Sequence, residues 1–412
     1  MSHVIKYPPA IPTIEPSEAG RRQVIRNFQF SRHLMRPIVR RVGTFSFDGG
    51  DKIPKDEPFL FLANHSALWD PLWLSGGVMR PIHFMATQSA MREPFLGRLL
   101  QSGGTVPKRK FSSDATAVKK LRRWAKLGGS VALFPEGART WDGTPLPLVP
   151  GIDKLIRLIG LPVVTARIIN ADRGMPRWGN GSRYGHVHVE YDTPKSFDRR
   201  TPLDEIFSYV DTRIRVDPLS CKRWPVTGKR LAEGLTNVLF ACPKCYYLEG
   251  LSARGNFLQC TSCTARWRVD TTNHLIAVSR SESLSIIAAR ERLHQHFSVD
   301  YVPSASLFRN HGVLLESEVL TVYDAGGSEM LPLAAGKLQL TPTELRVAGT
   351  DYSLPLESIQ AVSIDIKRRL QLLVGDKIIE PVLPRESVLK WQFFTKAWVR
   401  RAGGNGAFLD ES

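Results

Sequence analysis

Strand-like and helix-like segments alternate between residues 42 and 216, and this constrains the chain most. Apolar runs suited to strands lie at 42–47, 58–63, 81–86, 131–134, 162–168 and 185–191. Helical spacing fills 71–79, 88–101, 114–127, 151–159 and 202–215. Alternation of this kind predicts an α/β domain, a largely parallel or mixed sheet flanked by helices. In such sheets chemistry collects at strand ends and in the loops that follow.

The rest of the 412 residues divides by composition. Residues 1–20 hold four prolines and read as a mobile tail. Residues 21–41 carry seven arginines, no acid and an apolar stripe through Val24, Ile25, Phe28, Leu34, Met35, Ile38 and Val39. They predict a basic amphipathic helix, kinked at Pro37. Two readings stay open for it: an anchor on an anionic membrane surface, or a helix packed on its own domain. The α/β domain covers 42–216, and 217–240 is a connector with a short helix near "GKRLAEGLTNVLF". A cysteine-bearing module follows at 241–270, then a helical linker at 271–303 with its helix near 282–297. Short alternating runs over 304–403 ("KLQL", "ELRV", "YSLPL", "VSIDI", "LQLLV") end in a helix at 386–400. They suggest a β-rich domain of pleckstrin-homology type. Residues 404–412 are a tail.

The formal charge of +17 calls for an anionic partner, and nucleic acid, a membrane surface or a phosphorylated substrate all qualify. No run of apolar residues is long enough to cross a bilayer, and no secretory signal stands at the start. The expected location is the cytoplasm, peripheral on the inner face of a membrane.

Past the strand 58–63 stands "NHSALWD". Residues five apart lie about 140° around a helix axis, so His65 and Asp70 meet only if the segment between them turns. Asp70-Pro71 permits that, as a helix cap followed by proline at the first helical position. A neutral imidazole can take a proton from an alcohol near neutral pH. A carboxylate on its other nitrogen fixes the tautomer and stabilises the imidazolium. With ten histidines the spacing also arises by chance, and Asp70 then serves only as a cap.

Downstream, "VALFPEGART" sets Glu136, Gly137 and Arg139 at the end of the strand 131–134. Arg139 offers a planar fork for phosphate or carboxylate, and Gly137 lets backbone approach a ligand. "SGGTVPKRK" supplies Lys108 and Arg109 as a second phosphate contact. "GLPVVTARI" reads as a buried strand.

In this order the segments resemble the glycerolipid acyltransferases, the 1-acylglycerol-3-phosphate acyltransferase family. Asn64, His65 and Asp70 match its first block, N-H-x4-D. "GTVPKR" with Arg109 matches the second, with Lys108 an equal candidate. Phe134, Pro135, Glu136, Gly137 and Arg139 match the third, with Ala138 where the family has threonine. "PVVTARI" with Pro162 matches the fourth. The resemblance implies that His65 deprotonates a lysophosphatidate hydroxyl, which attacks an acyl thioester on coenzyme A or acyl carrier protein. Asp70 would orient His65. Lys108 or Arg109, with Glu136, Gly137 and Arg139, would hold the acceptor, and backbone N–H groups near the helix start would meet the oxyanion. Another lysolipid or glycerol 3-phosphate is the alternative acceptor.

Cys242, Cys245, Cys260 and Cys263 are spaced C-x2-C-x14-C-x2-C, which suits two knuckles of a zinc ribbon. A hairpin turning at "ARGN" joins them. Four thiolates leave zinc no open position, so its role is structural. Cys221 stands alone as an ordinary small residue. A ribbon also raises a competing class, a binding or scaffold protein at the membrane whose transferase domain is inactive. No recognition helix or aromatic RNA-binding motif accompanies it, so nucleic acid is not expected as a partner. A protein partner or lipid headgroup on the ribbon or the β-rich domain is.

Overall fold

Phe59, Phe61 and Ala63 face one way along a strand while Leu60 and Leu62 face the other, and all five are fully buried. A strand apolar on both sides needs cover on both sides. In the computed structural model it lies inside a seven-stranded sheet with a core against each face. The structure describes residues 13–40, 43–78, 80–92, 94–108, 110–111, 114–181, 183–220, 223–279, 282–297, 312–327, 330–365 and 367–403. Two compact units result. One runs through Arg177 and resumes over 183–231, and the other takes Trp178–Gly181 and Ala232 onward.

The strands of the first unit are β1 (Gly43–Asp48), β2 (Leu60–Ala63), β3 (Ile82–Thr87), β4 (Val106–Lys108), β5 (Ser130–Leu133), β6 (Val163–Ile169) and β7 (Gly185–Tyr191). Its helices are α1 (Glu18–Arg40), α2 (Asp70–Gly76), α3 (Gln88–Arg92), α4 (Pro94–Ser102), α5 (Ala115–Lys126), α6 (Ile152–Ile159), α7 (Ala171–Gly174) and α8 (Leu203–Ile214). The sheet order is β1-β7-β6-β2-β5-β3-β4. All neighbours are parallel except β6 and β7, so the sheet is mixed. One core gathers Leu60, Leu62, Leu121, Trp124, Ile156 and Val210, and the other Phe61, Trp73, Leu74, Ala132, Ile168 and Val189.

Several expectations change here. The helix expected at 88–101 is described as α3 and α4, and residue 93 between them lies outside the described residues. Strand β4 and the one-turn α7 are too short to leave a periodic signal. Helix α1 begins at Glu18, inside the expected tail, and is assigned without a break across Pro37. Val24 is buried against Leu121 and Trp124, and Asn27 Nδ2 donates to the Ser102 carbonyl at 2.9 Å. The first half of α1 is therefore packed on its own domain. The first half of the expected connector belongs to this unit too: Arg223 pairs with Asp172, and Thr227 bridges Tyr184.

The second unit opens with a single 3-10 turn, Leu235–Asn237, where a short helix was expected. A five-stranded antiparallel sheet follows: β8 (Leu251–Arg254), β9 (Phe257–Cys260), β10 (Arg266–Val269), β11 (His274–Ala277) and β12 (Ser283–Ser285). It reaches beyond residue 270, so β11 and β12 occupy the start of the expected linker, and α9 (Ile286–His296) is its expected helix. A second antiparallel sheet holds β13 (Leu315–Asp324), β14 (Leu331–Leu340), β15 (Glu344–Val347), β16 (Ser353–Pro355), β17 (Ile359–Asp365), β18 (Arg369–Val374) and β19 (Lys377–Pro381). Its order is β16-β15-β14-β13-β19-β18-β17. The closing helix α10 (Val388–Arg401) buries Val388, Trp391, Phe394, Thr395 and Val399. The C-terminal region is β-rich, as its alternating runs predict. Among the described residues no helix is long and apolar enough to cross a membrane.

Candidate active site

Strand β2 ends at Ala63 and releases the chain into the loop that holds His65. Asn64 controls that exit. Its Oδ1 accepts the N–H of Ile168 at 2.7 Å, and its Nδ2 donates to the carbonyl of the same residue at 2.9 Å. One side chain thus extends the β2–β6 ladder by a residue and fixes where the next one points. The His65 ring then stacks on Phe134, with centroids 4.1 Å apart and planes at 13°.

Asp70 faces His65 across the loop, and its Oδ2 lies 2.7 Å from His65 Nδ1. The same oxygen accepts the backbone N–H of Ser66 at 2.6 Å and of Ala67 at 2.9 Å. Asp70 is fully buried, while the His65 side chain keeps 20% of its surface exposed. The expected capping role is revised: Trp69 is the cap position, Asp70 is the first residue of α2, and no side chain caps the helix. Its carboxylate folds back onto the loop instead. The N–H groups of Ser66 and Ala67, near the helix start where oxyanion donors are expected, are taken by that carboxylate. A carboxylate on Nδ1 puts the neutral ring's proton there, and Nε2 keeps its lone pair. Burial lowers the His65 pKa below 6.5, Asp70 opposes the shift, and the charges of Arg139 and Arg177 add to it. The imidazole is therefore neutral at neutral pH.

The third block arrives from β5. Thr140 N–H donates to the His65 carbonyl at 2.9 Å, joining the two loops. Gly137 sits at φ +71°, and a Cβ there would stand 2.6 Å from Val149 Cγ2, so the turn needs glycine twice over. Glu136 is buried, and the N–H groups of His65 and Leu146 meet its carboxyl. Burial dominates and raises its pKa to about 8. Glu136 is therefore mostly protonated at neutral pH. Asn64, Ser66, Glu136 and Thr140 line a crevice with Val216 beside the dyad.

Arg139 is half-buried and close enough for its charge to act on His65. A second guanidinium joins it, which the sequence does not announce. Arg177 is buried, lies 4.3 Å over the Trp141 ring, and donates from Nη1 to the Arg139 carbonyl at 2.6 Å. It follows α7 in "MPRWGN", a stretch with no motif or period to mark it. Lys108 ends β4, half-buried. Arg109 and Cys221 lie outside the described residues.

In the second unit the four predicted thiols converge. Cys242 and Cys263 Sγ atoms are 3.7 Å apart, Cys245 and Cys260 3.8 Å, and all four lie within 4.8 Å of one another. Four sulfurs at about 2.3 Å from a tetrahedral zinc stand about 3.8 Å apart, so the quartet fits that ion. A disulfide would bring two sulfurs to about 2.0 Å. Tyr246 and Thr264 adopt left-handed backbone at φ 59° and 56°, each one residue past the second cysteine of its pair, where each knuckle turns.

Residues 44–169 match the family model described as Acyltransferase. The 1-acyl-sn-glycerol-3-phosphate acyltransferase of Borreliella burgdorferi is 29% identical over 153 residues, 36% of this chain and 61% of that protein. The chloroplastic enzyme of that name from Brassica napus, BAT2, is 26% identical over 150 residues, 35% of this chain and 43% of that protein. The chain therefore spans less than two thirds of each of these curated relatives. The crystal structure of the 1-acyl-sn-glycerophosphate acyltransferase from Thermotoga maritima aligns with 48% of this chain and 79% of its own, at 22% identity and a TM-score of 0.41. Residues 44–169 are thus similar to an acyltransferase family model, and the chain to curated 1-acyl-sn-glycerol-3-phosphate acyltransferases.

Proposed function

We propose that the chain transfers a fatty acyl group from an acyl thioester to the free hydroxyl of lysophosphatidate. The observation that carries this is the 2.7 Å contact between His65 Nδ1 and a buried Asp70, with the guanidiniums of Arg139 and Arg177 close enough for their charge to reach the ring. His65 Nε2 takes the hydroxyl proton as the oxygen attacks the thioester carbonyl. The tetrahedral adduct collapses, the C–S bond breaks, and the imidazolium returns its proton to the leaving thiolate. Asp70 holds the tautomer and stabilises the imidazolium between these events. Arg139 and Arg177, whose charges reach His65, would hold the acceptor's phosphate, and Lys108 with Arg109 is the second candidate contact. Coenzyme A or acyl carrier protein carries the acyl group, and the acceptor reaches the site from a membrane surface on the cytoplasmic side.

Zinc bound by Cys242, Cys245, Cys260 and Cys263 would hold the two knuckles together as a structural ion, completing a ribbon beside a domain of pleckstrin-homology type. The test of the function is incubation of the pure protein with lysophosphatidate and a long-chain acyl thioester. Phosphatidate with release of one free thiol is expected. No phosphatidate, with transfer to another lysolipid, would move the acceptor; no transfer to any lysolipid would end the enzyme reading.

A further inference from the structure

The five-stranded sheet beside the cysteine quartet has two unlike faces. Leu258, Trp267, Val269 and Leu275 are buried on the inner one. On the outer one the register sets Arg254, Phe257, Arg268 and Ile276 in one row across β8, β9, β10 and β11. Ser252, Gln259 and Arg266 form the next row. Arg254, Arg266 and Arg268 are all exposed, and Arg266 lies 4.3 Å over the Phe257 ring.

The two acids between residues 241 and 279 are engaged elsewhere. Glu249 pairs with the buried Lys390 Nζ, and Asp270 accepts the N–H groups of Thr272 and His274. Among the described residues no carboxylate pairs with the three outward arginines. Strands about 4.8 Å apart put those guanidiniums within roughly 10 Å, near one Debye length at physiological salt. A charged surface meets them as one patch.

We infer that this outer sheet face, Arg254, Arg266 and Arg268 around Phe257, docks on the anionic phospholipid headgroups of a bilayer. Its choice of partner rests on the acyl-transfer reading, whose acceptor is a membrane lipid. The geometry adds to it: the Phe257 ring already carries the Arg266 guanidinium on one face, which suits a headgroup layer better than a stack of bases.

The experiment sediments the full-length, metal-loaded protein with equimolar phosphatidylglycerol–phosphatidylcholine vesicles, and with phosphatidylcholine alone. Each arginine near such a surface contributes about fivefold, so R254Q/R266Q/R268Q should weaken anionic-vesicle binding on the order of 100-fold. Binding to neutral vesicles should not change. R254K/R266K/R268K keeps the charge and should stay within about threefold of wild type. A loss below about tenfold in the glutamine variant overturns the inference, as does an equal loss in the lysine variant. Loss of single-stranded oligonucleotide binding with vesicle binding intact would also overturn it and assign the face to nucleic acid. Transfer to lysophosphatidate in detergent micelles should persist in both variants. If the wild type shows no transfer, the acyl-transfer reading falls, while the vesicle comparison still judges the face by itself.

Discussion

Replacing Asp70 with asparagine separates two jobs that one carboxylate performs. Oδ2 alone accepts from His65 Nδ1, Ser66 N–H and Ala67 N–H, while the buried Oδ1 has no hydrogen-bond partner. An asparagine can set its carbonyl oxygen at the Oδ2 position, keep all three contacts and hold the same His65 tautomer. Its NH2 then occupies the unpartnered Oδ1 position, which costs about 1 kcal/mol of stability. What disappears is the negative charge that stabilises the imidazolium. At about 4 Å between charge centres and an effective dielectric of about 20, that interaction is roughly 4 kcal/mol. The rate of transfer should therefore fall about 10²–10³-fold. Asp70→Ala removes charge and acceptor together, strands two N–H groups and frees the ring, so its loss should reach about 10³–10⁴-fold. The assay follows thiol release from the acyl thioester with lysophosphatidate saturating. The acid limb of the pH–rate profile should also move to lower pH in the asparagine variant, because Asp70 raises the His65 pKa. Asparagine within about threefold of wild type would refute the use of the charge, and asparagine no better than alanine would refute the role of Oδ2 in holding the geometry.

Glu136→Gln should leave acid stability alone and raise alkaline stability. The folded-state pKa is raised to about 8, so wild-type stability is lost as pH climbs from 4.5 to about 8 and then levels off. That shift corresponds to as much as roughly 5 kcal/mol, readable as a growing gap between the two urea midpoints; a gap that does not change with pH contradicts it. Asn64→Ala strands the N–H and carbonyl of Ile168 and should cost roughly 2–5 kcal/mol in urea unfolding, with kcat falling more than KM rises. A cost under about 1 kcal/mol would mean the loop does not depend on that bridge. For the cysteine quartet, elemental analysis should find one zinc per chain, lost on Cys260→Ser, while transfer to micellar acceptor continues. A disulfide between the paired thiols would contradict the site.

The sequence discloses elements with period and motifs with fixed spacing, and it hides what depends on the fold between them. Strands β2, β5, β6 and β7 are legible because burial on both faces or strict alternation writes itself into every residue. The His65–Asp70 meeting is legible because Asp70-Pro71 permits a turn, yet the capping expectation misplaces the carboxylate by one position. Asn64 stands in the motif, but its bond to Ile168 joins positions 104 apart and no spacing shows it. Arg177 leaves no trace at all: it reaches the site through Trp141 and the Arg139 carbonyl, contacts made by tertiary packing alone. Glu136 reads as a ligand in a motif and stands in the structure as a buried, mostly protonated carboxyl, since burial is decided by tertiary packing. Strands β11 and β12 lie where a helical linker is expected, because strands of four and three residues carry too little pattern to outweigh the helix beside them.

His65 is the residue on which the chemistry turns, and its removal is the most direct measurement. The rate of phosphatidate formation from lysophosphatidate and acyl thioester should fall about 10²–10⁴-fold in His65→Ala, with an unfolding midpoint close to that of wild type. Wild-type rates in that variant, with the fold intact, would contradict the account.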